Sequence, residues 1–219
     1  MSALFDVLTE NIDEFGGGLW VTLRLVGGAF VIAIVVGTFV AALRIAPSAW
    51  LRRLGGIYVE TFRNIPLLVL LTLSYAGLRR AGVEIGTWTA GIASLGLYTA
   101  AYVAEVLRSG VFAVSRGQID AALSLGFDQL QALRRIVLPQ AFRTVIAPLG
   151  SITIAMIKNS AIVGAVLAIN DILKEGRLIA SRTFETDAAF FWAAVGYLLL
   201  TGAATVAFRQ LESRYAIRR

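Results

Sequence analysis

The chain has 219 residues, 58% of them hydrophobic and 16% charged, with a mean hydropathy of +0.76. A soluble domain is nearer half apolar and a quarter charged, so this composition calls for a lipid solvent and an all-α, multi-pass membrane domain over residues 1–219. With no cysteine and no histidine at a net charge of +6, thiolate and imidazole metal sites, disulfides, cysteine nucleophiles and Ser-His-Asp chemistry are excluded.

The segment before the first span carries Asp6, Glu10, Asp13 and Glu14 and no cation, which is unlike the basic start of a signal peptide. Apolar stretches of about 20 residues, the length that crosses a bilayer, fall near 19–43, 57–77, 86–107, 144–168 and 188–208. Arg24 lies close to the outer end of the first, from where its side chain can snorkel to the headgroups. Small residues recur at every fourth position: Ala29, Ala33, Gly37 and Ala41; then Gly96, Ala100 and Ala104; then Ser151, Ala155 and Asn159. Such stripes let membrane helices approach closely, and packing within one chain is the plain expectation for each. Pro66 and Pro148 interrupt the second and fourth spans and are expected to kink them or free backbone groups.

Charge distribution sets the orientation. Eighteen of the 20 cations are arginines, and they flank apolar segments instead of forming one basic face, which argues against nucleic acid as a partner. With the N-terminus outside, inner segments hold thirteen cations and five acids, outer segments six cations and nine acids, and Lys158 lies within a span. The positive-inside rule therefore selects N-out, C-in.

The longest stretch between spans, 108–143, is cytoplasmic in this orientation. Within it Ile119, Leu123, Phe127 and Leu130 stand at helical spacing, with Asp120, Ser124 and Asp128 on a neighbouring face, predicting a helix over about 118–130. Ala121 and Ala122 leave a low surface, Gly126 suits a chain reversal, and Pro139 suits the first turn of the following helix. Periodicity alone fits a membrane-surface helix equally well.

At this loop the chain resembles the permease subunits of ATP-binding-cassette importers. Their signature is Glu-Ala-Ala, three residues, Gly, nine residues, Ile, one residue, Leu-Pro; here Asp120, Ala121, Ala122, Gly126, Ile136, Leu138 and Pro139 stand at that spacing. Asp120 replaces the glutamate, keeping the charge and shortening its reach. Further matches run along the whole chain: Trp20 to Leu25, Glu60 to Leu67, Tyr98 to Gly110, and Ile157 to Ser160 resemble the polar amino acid uptake branch. Lys158 followed by Asn159 looks most like actinobacterial glutamate permeases.

The resemblance implies a type I importer fold in the bacterial plasma membrane, with two permeases around a central path; a different second chain is favoured, though a homodimer fits as well. It implies two cytoplasmic ATPases carrying ATP and Mg, an extracytoplasmic amino acid-binding protein, and a coupling helix seated in the ATPase. Consistent with that division, neither Lys158 nor Lys174 ends a phosphate-binding Gly-Lys-Ser/Thr loop, so this chain has no ATP-binding motif and is not expected to be an enzyme.

A lysine inside a span marks function or a structural partner. Lys158 either meets a substrate carboxylate, with Asn159 and Ser160 adding hydrogen bonds, or is structural, pairing with a carboxylate such as Glu105 or making a helix-end contact. Glu105 and Arg108, three apart, can meet on one helix face, and with Arg63 they form either a gate or an interfacial anchor. A stand-alone secondary amino acid transporter is the main rival reading, but it requires mid-membrane carboxylates that this sequence does not supply. A membrane assembly factor is a second rival.

Overall fold

The computed structural model describes residues 2–215. Arg218 and Arg219, counted above among the inner cations, lie outside the described residues. Among those described there are helices and no strand. They are α1 (Ser2–Glu10), α2 (Ile12–Ile45), α3 (Ala49–Asn64), α4 (Leu67–Arg80), α5 (Thr87–Phe112), α6 (Arg116–Ser124), α7 (Gln129–Leu167), α8 (Ile172–Thr183) and α9 (Thr186–Tyr215).

Four of these, α2, α5, α7 and α9, are long and apolar enough to cross a bilayer alone, and α3 with α4 passes the same test only as a bent pair, which brings the number to five if the pair counts as one span. Each expected span lies inside or across one of these units, but the helices overrun the apolar stretches. The 34 residues of α2 extend about 51 Å; Asp13 and Glu14 in the first turn and Arg44 in the last complement the helix dipole and carry it past the hydrocarbon.

The second span departs from a single crossing at 57–77. Its two parts meet at 101°, because Pro66 drives the preceding Ile65 into extended backbone (φ −94°, ψ 128°). The 14 residues of α4 reach only about 21 Å, less than the hydrocarbon thickness, and α3 leaves Trp50, Leu54 and Ile57 exposed. Pro148 behaves differently: α7 passes through it unbroken.

Two of the three small-residue stripes pack against each other. Ala29, Ala33, Gly37 and Ala41 of α2 are buried, as are Gly96, Ala100 and Ala104 of α5. A Cβ on Gly37 would stand 2.7 Å from Val103 Cβ, and one on Gly96 2.7 Å from Ile32 Cβ, so the two backbones approach as closely as glycine permits. The third stripe does not pack within the chain: Ser151 and Ala155 are exposed and Asn159 half-buried. The main core, with Leu25, Leu71, Leu95, Met156 and Val163, lies where α2, α4, α5 and α7 meet. A second, at the outer end, ties α1 and α8 to α9 through Val7, Ile172, Ile179 and Ala189.

Candidate functional site

The cytoplasmic segment is two short pieces, not one helix over 118–130. α6 stops at Ser124, and Gly126 reverses the chain at φ +87°. Phe127 N donates to Ala122 O (3.1 Å) and Gly126 N to Leu123 O (3.0 Å), the paired bonds of a Schellman cap. Asp128 then begins α7: its Oδ1 accepts from Gln131 N (2.8 Å), and its own N donates to Gln131 Oε1 (3.1 Å), a complete capping box. Phe127 and Leu130 therefore leave the face of Ile119 and Leu123, and Asp128 is spent on its cap. Ala122 is buried, while Asp120, Ala121 and Gly126 are exposed. At the tip stands Leu125, 80% exposed, an apolar side chain that the periodic pattern did not single out.

Pro139 opens the regular α-helical stretch from Leu138, as expected, but that stretch is continuous with Gln129 through a π turn at Leu133–Val137. A proline has no N–H and its ring crowds the carbonyl four residues back; widening the preceding turn relieves both. Ile136 is half-buried in that turn, with Leu138 exposed beside it. A single 39-residue helix thus joins the capped loop to the interior of the membrane.

Deep in α7, Lys158, Asn159 and Ser160 point three ways, because successive helix residues are turned by about 100°. Ser160 is fully buried and its Oγ donates to Ile157 O (2.6 Å), which removes it from the face of Lys158. Asn159 lines a cavity of about 180 Å³ with Tyr98, Tyr102, Ile152 and Ala155; the two tyrosine hydroxyls are 3.0 Å apart. Lys158 is exposed on the chain's flank beside Ala155, and no carboxylate lies within ion-pair reach among the described residues.

Glu105 is not its partner, because arginines occupy it. Arg108 Nη2 donates to its Oε1 (2.6 Å), as the spacing of three predicted, and Arg44 Nη1 donates to Oε2. Arg63 Nη1 stands 3.9 Å from the same oxygen. These groups join α2, α3 and α5 near their inner ends. Arg44 was invisible as a partner because 61 residues separate it from Glu105. A cavity of about 380 Å³ opens here between Glu60, Arg63, Asn64, Tyr102 and Glu105. Tyr102 lines this cavity and the one beside Asn159, so polar groups continue along α5 from one to the other.

At the outer end a buried network holds the α7–α8 corner. Asp171, fully buried, accepts from Lys174 N (3.0 Å) and from Tyr197 OH (2.8 Å). Burial pushes its carboxyl above the usual range, against those hydrogen bonds and the nearby Arg177 charge. Thr22 Oγ1 accepts from Ile172 N (3.2 Å) and ties the corner to α2. Asp171 is legible as an N-cap ahead of an amphipathic helix; its bond to Tyr197 is not.

Residues 33–217 match the family model described as binding-protein-dependent transport system inner membrane component. The chain belongs to this family. It is a multi-pass permease of the bacterial plasma membrane with the type I importer fold. It is 38% identical over 214 residues to the probable glutamine ABC transporter permease protein GlnM of Bacillus subtilis, covering 98% of this chain and 97% of that one. Identity is 36% to the glutamate transport system permease protein GluC of Corynebacterium efficiens, over 91% and 93% of the two chains. It is 35% to the glutamate/aspartate import permease protein GltJ of Escherichia coli K12, over 78% and 75%. Among solved structures, a chain from the crystal structure of an amino acid ABC transporter with histidines superposes at TM-score 0.89, with 33% identity over 94% and 96% of the two chains.

Proposed function

We propose that this permease is the membrane subunit of an ATP-driven importer for a polar amino acid, glutamate first, delivered by an extracytoplasmic binding protein. The relatives in hand are named for glutamine, glutamate and aspartate, a set that shares an α-carboxylate and a polar side chain of similar length. The observation that carries the reading is Lys158, a cation in the body of a span with no carboxylate in ion-pair reach among the described residues. A charge left so in a membrane costs roughly 2.5–3.5 kcal/mol on the insertion scale, and an anionic substrate group would offset that cost. Asn159, Tyr98 and Tyr102 supply donors and acceptors alongside, and Arg63 and Asn64 continue them inward.

ATP and Mg belong to a separate ATPase pair in this reading. The capped turn at Leu125 and Gly126 seats in that ATPase, and α7 carries its displacement to Asn159 as one rod. A second permease, a different chain by preference, closes the path against the exposed Ser151–Ala155 side. Reconstitution of the permease with its ATPase and binding protein in liposomes tests the substrate. ATP-dependent uptake of labelled glutamate, competed by aspartate, is expected. Uptake of glutamine or a basic amino acid with no glutamate transport overturns the assignment, and uptake without ATPase revives a stand-alone carrier.

A further inference from the structure

The inner ends of α2, α5 and α7 line a groove of about 470 Å³, separate from the cavities beside Asn159 and Glu105. Its walls are Ala42, Leu107, Val111, Leu138 and Phe142, with Arg108 along one side. Water finds few polar partners in such a slot, and an empty one forfeits the dispersion contacts of every wall atom. Leu138 and Phe142 are exposed at its edge. The groove lies beside the last turns of α2, which ends at Ile45, so it sits at the inner headgroup boundary in the N-out orientation.

Arg108 is the charged residue in the lining of this slot. Arg108 gives one bond, from Nη2, to Glu105; a guanidinium has five N–H donors, and its Nη1 bonds nothing among the described residues. Glu105 is shared with Arg44 and Arg63, and Glu60 lines the same cavity, so three cations face two carboxylates. Arg134 and Arg143 are exposed, adjacent in sequence to the wall residues Leu133 and Phe142, and make no ion pair among the described residues.

We propose that this groove binds an anionic phospholipid of the inner leaflet, with an acyl chain in the slot and its phosphate on Arg108. The apolar walls set the place of the chain, and the surplus of positive charge sets the preference for an anionic headgroup.

Native mass spectrometry of the delipidated, intact importer, offered phosphatidylglycerol or phosphatidylcholine with the same acyl chains, reads both. Each basic group near an anionic lipid contributes about fivefold in affinity. One retained phosphatidylglycerol per copy of this chain is expected, about fivefold or more over phosphatidylcholine. Ala42→Phe, at an exposed groove position, should abolish retention with all subunits still present. Arg108→Gln should keep a lipid and lose the preference. Equal retention of the two lipids by the wild type, or undiminished retention by Ala42→Phe, overturns the proposal. So does loss of a protein subunit from Ala42→Phe, which would place a partner chain in the groove. Displacement of the lipid by inorganic phosphate alone would reduce the site to an anion site and overturn it equally.

Discussion

At the scale of single residues, two charged groups carry opposite lessons. Lys158 is exposed and makes no ion pair among the described residues, so replacing it by Met breaks none of those pairs. Lys158→Met should leave the assembled complex and its thermal midpoint unchanged while reducing uptake at least tenfold, read in the same liposome assay; lost assembly would assign the lysine to the subunit interface. Asp171 is buried with a raised carboxyl pKa, so the folded state holds its proton more tightly than the unfolded chain does. Its contribution is therefore most favourable in acid and declines as pH rises from the unfolded value through the folded one. Asn at 171 keeps an acceptor for Lys174 N and has no such titration. The midpoint of the wild type relative to Asp171→Asn should rise as the pH is lowered towards the usual carboxylate range, measured by thermal unfolding in detergent. Equal pH profiles for the two would show that burial does not raise the Asp171 carboxyl.

At the scale of elements, the cytoplasmic turn is built by backbone chemistry and aimed by one leucine. A Cβ on Gly126 would meet nothing within 4 Å, so Gly126→Ala adds only the cost of a left-handed residue, about 1–2 kcal/mol, confined to the turn. Leu125, 80% exposed, can be changed with no effect on the permease interior. Leu125→Asp should abolish co-purification of the ATPase, and Gly126→Ala should weaken it, with the permease fold intact by circular dichroism; retention of the ATPase by Leu125→Asp would move the docking contact elsewhere. The same segment shows where periodicity misleads. Ile119, Leu123, Phe127 and Leu130 fit one helix by spacing, yet Gly126 and the Asp128–Gln131 box cut it in two. A helix-period count registers apolar positions and ignores that a glycine followed by Asp-x-x-Gln is a stop and a start. Pro66 is visible in the sequence as an interruption and places the break at Ile65; the size of the bend, 101°, is not contained in that local rule.

At the scale of the whole molecule, orientation follows from summed charge. The absence of native cysteine makes this directly testable with single introduced thiols at exposed positions. Ser124→Cys, on the cytoplasmic loop, should resist a membrane-impermeant maleimide added to intact cells and react once they are opened. Ser181→Cys, in α8, should react in intact cells; the reverse pattern would invert the topology. Helix–helix approach is also a property of the whole. The stripes on α2 and α5 are readable as close-packing faces, and both pack; the stripe through Ser151 and Ala155 has the same spacing, yet those two residues are exposed and Ala155 and Asn159 line a cavity. Spacing records that a face is low, and tertiary structure decides which neighbour uses it.

The sequence by itself determined the quantities that depend on local composition and period: a membrane solvent, five apolar spans, their direction across the bilayer, and the loop motif at Asp120 to Pro139. Hydropathy and charge act through the bilayer on each segment separately, so they are legible one segment at a time. Only the tertiary structure decided that Arg44 reaches Glu105 across 61 residues, that Tyr197 closes on Asp171, and that Ser160 turns inward while Lys158 turns out. Those outcomes depend on distances between helices and on rotation about each helix axis, and both are set by packing the chain as a whole.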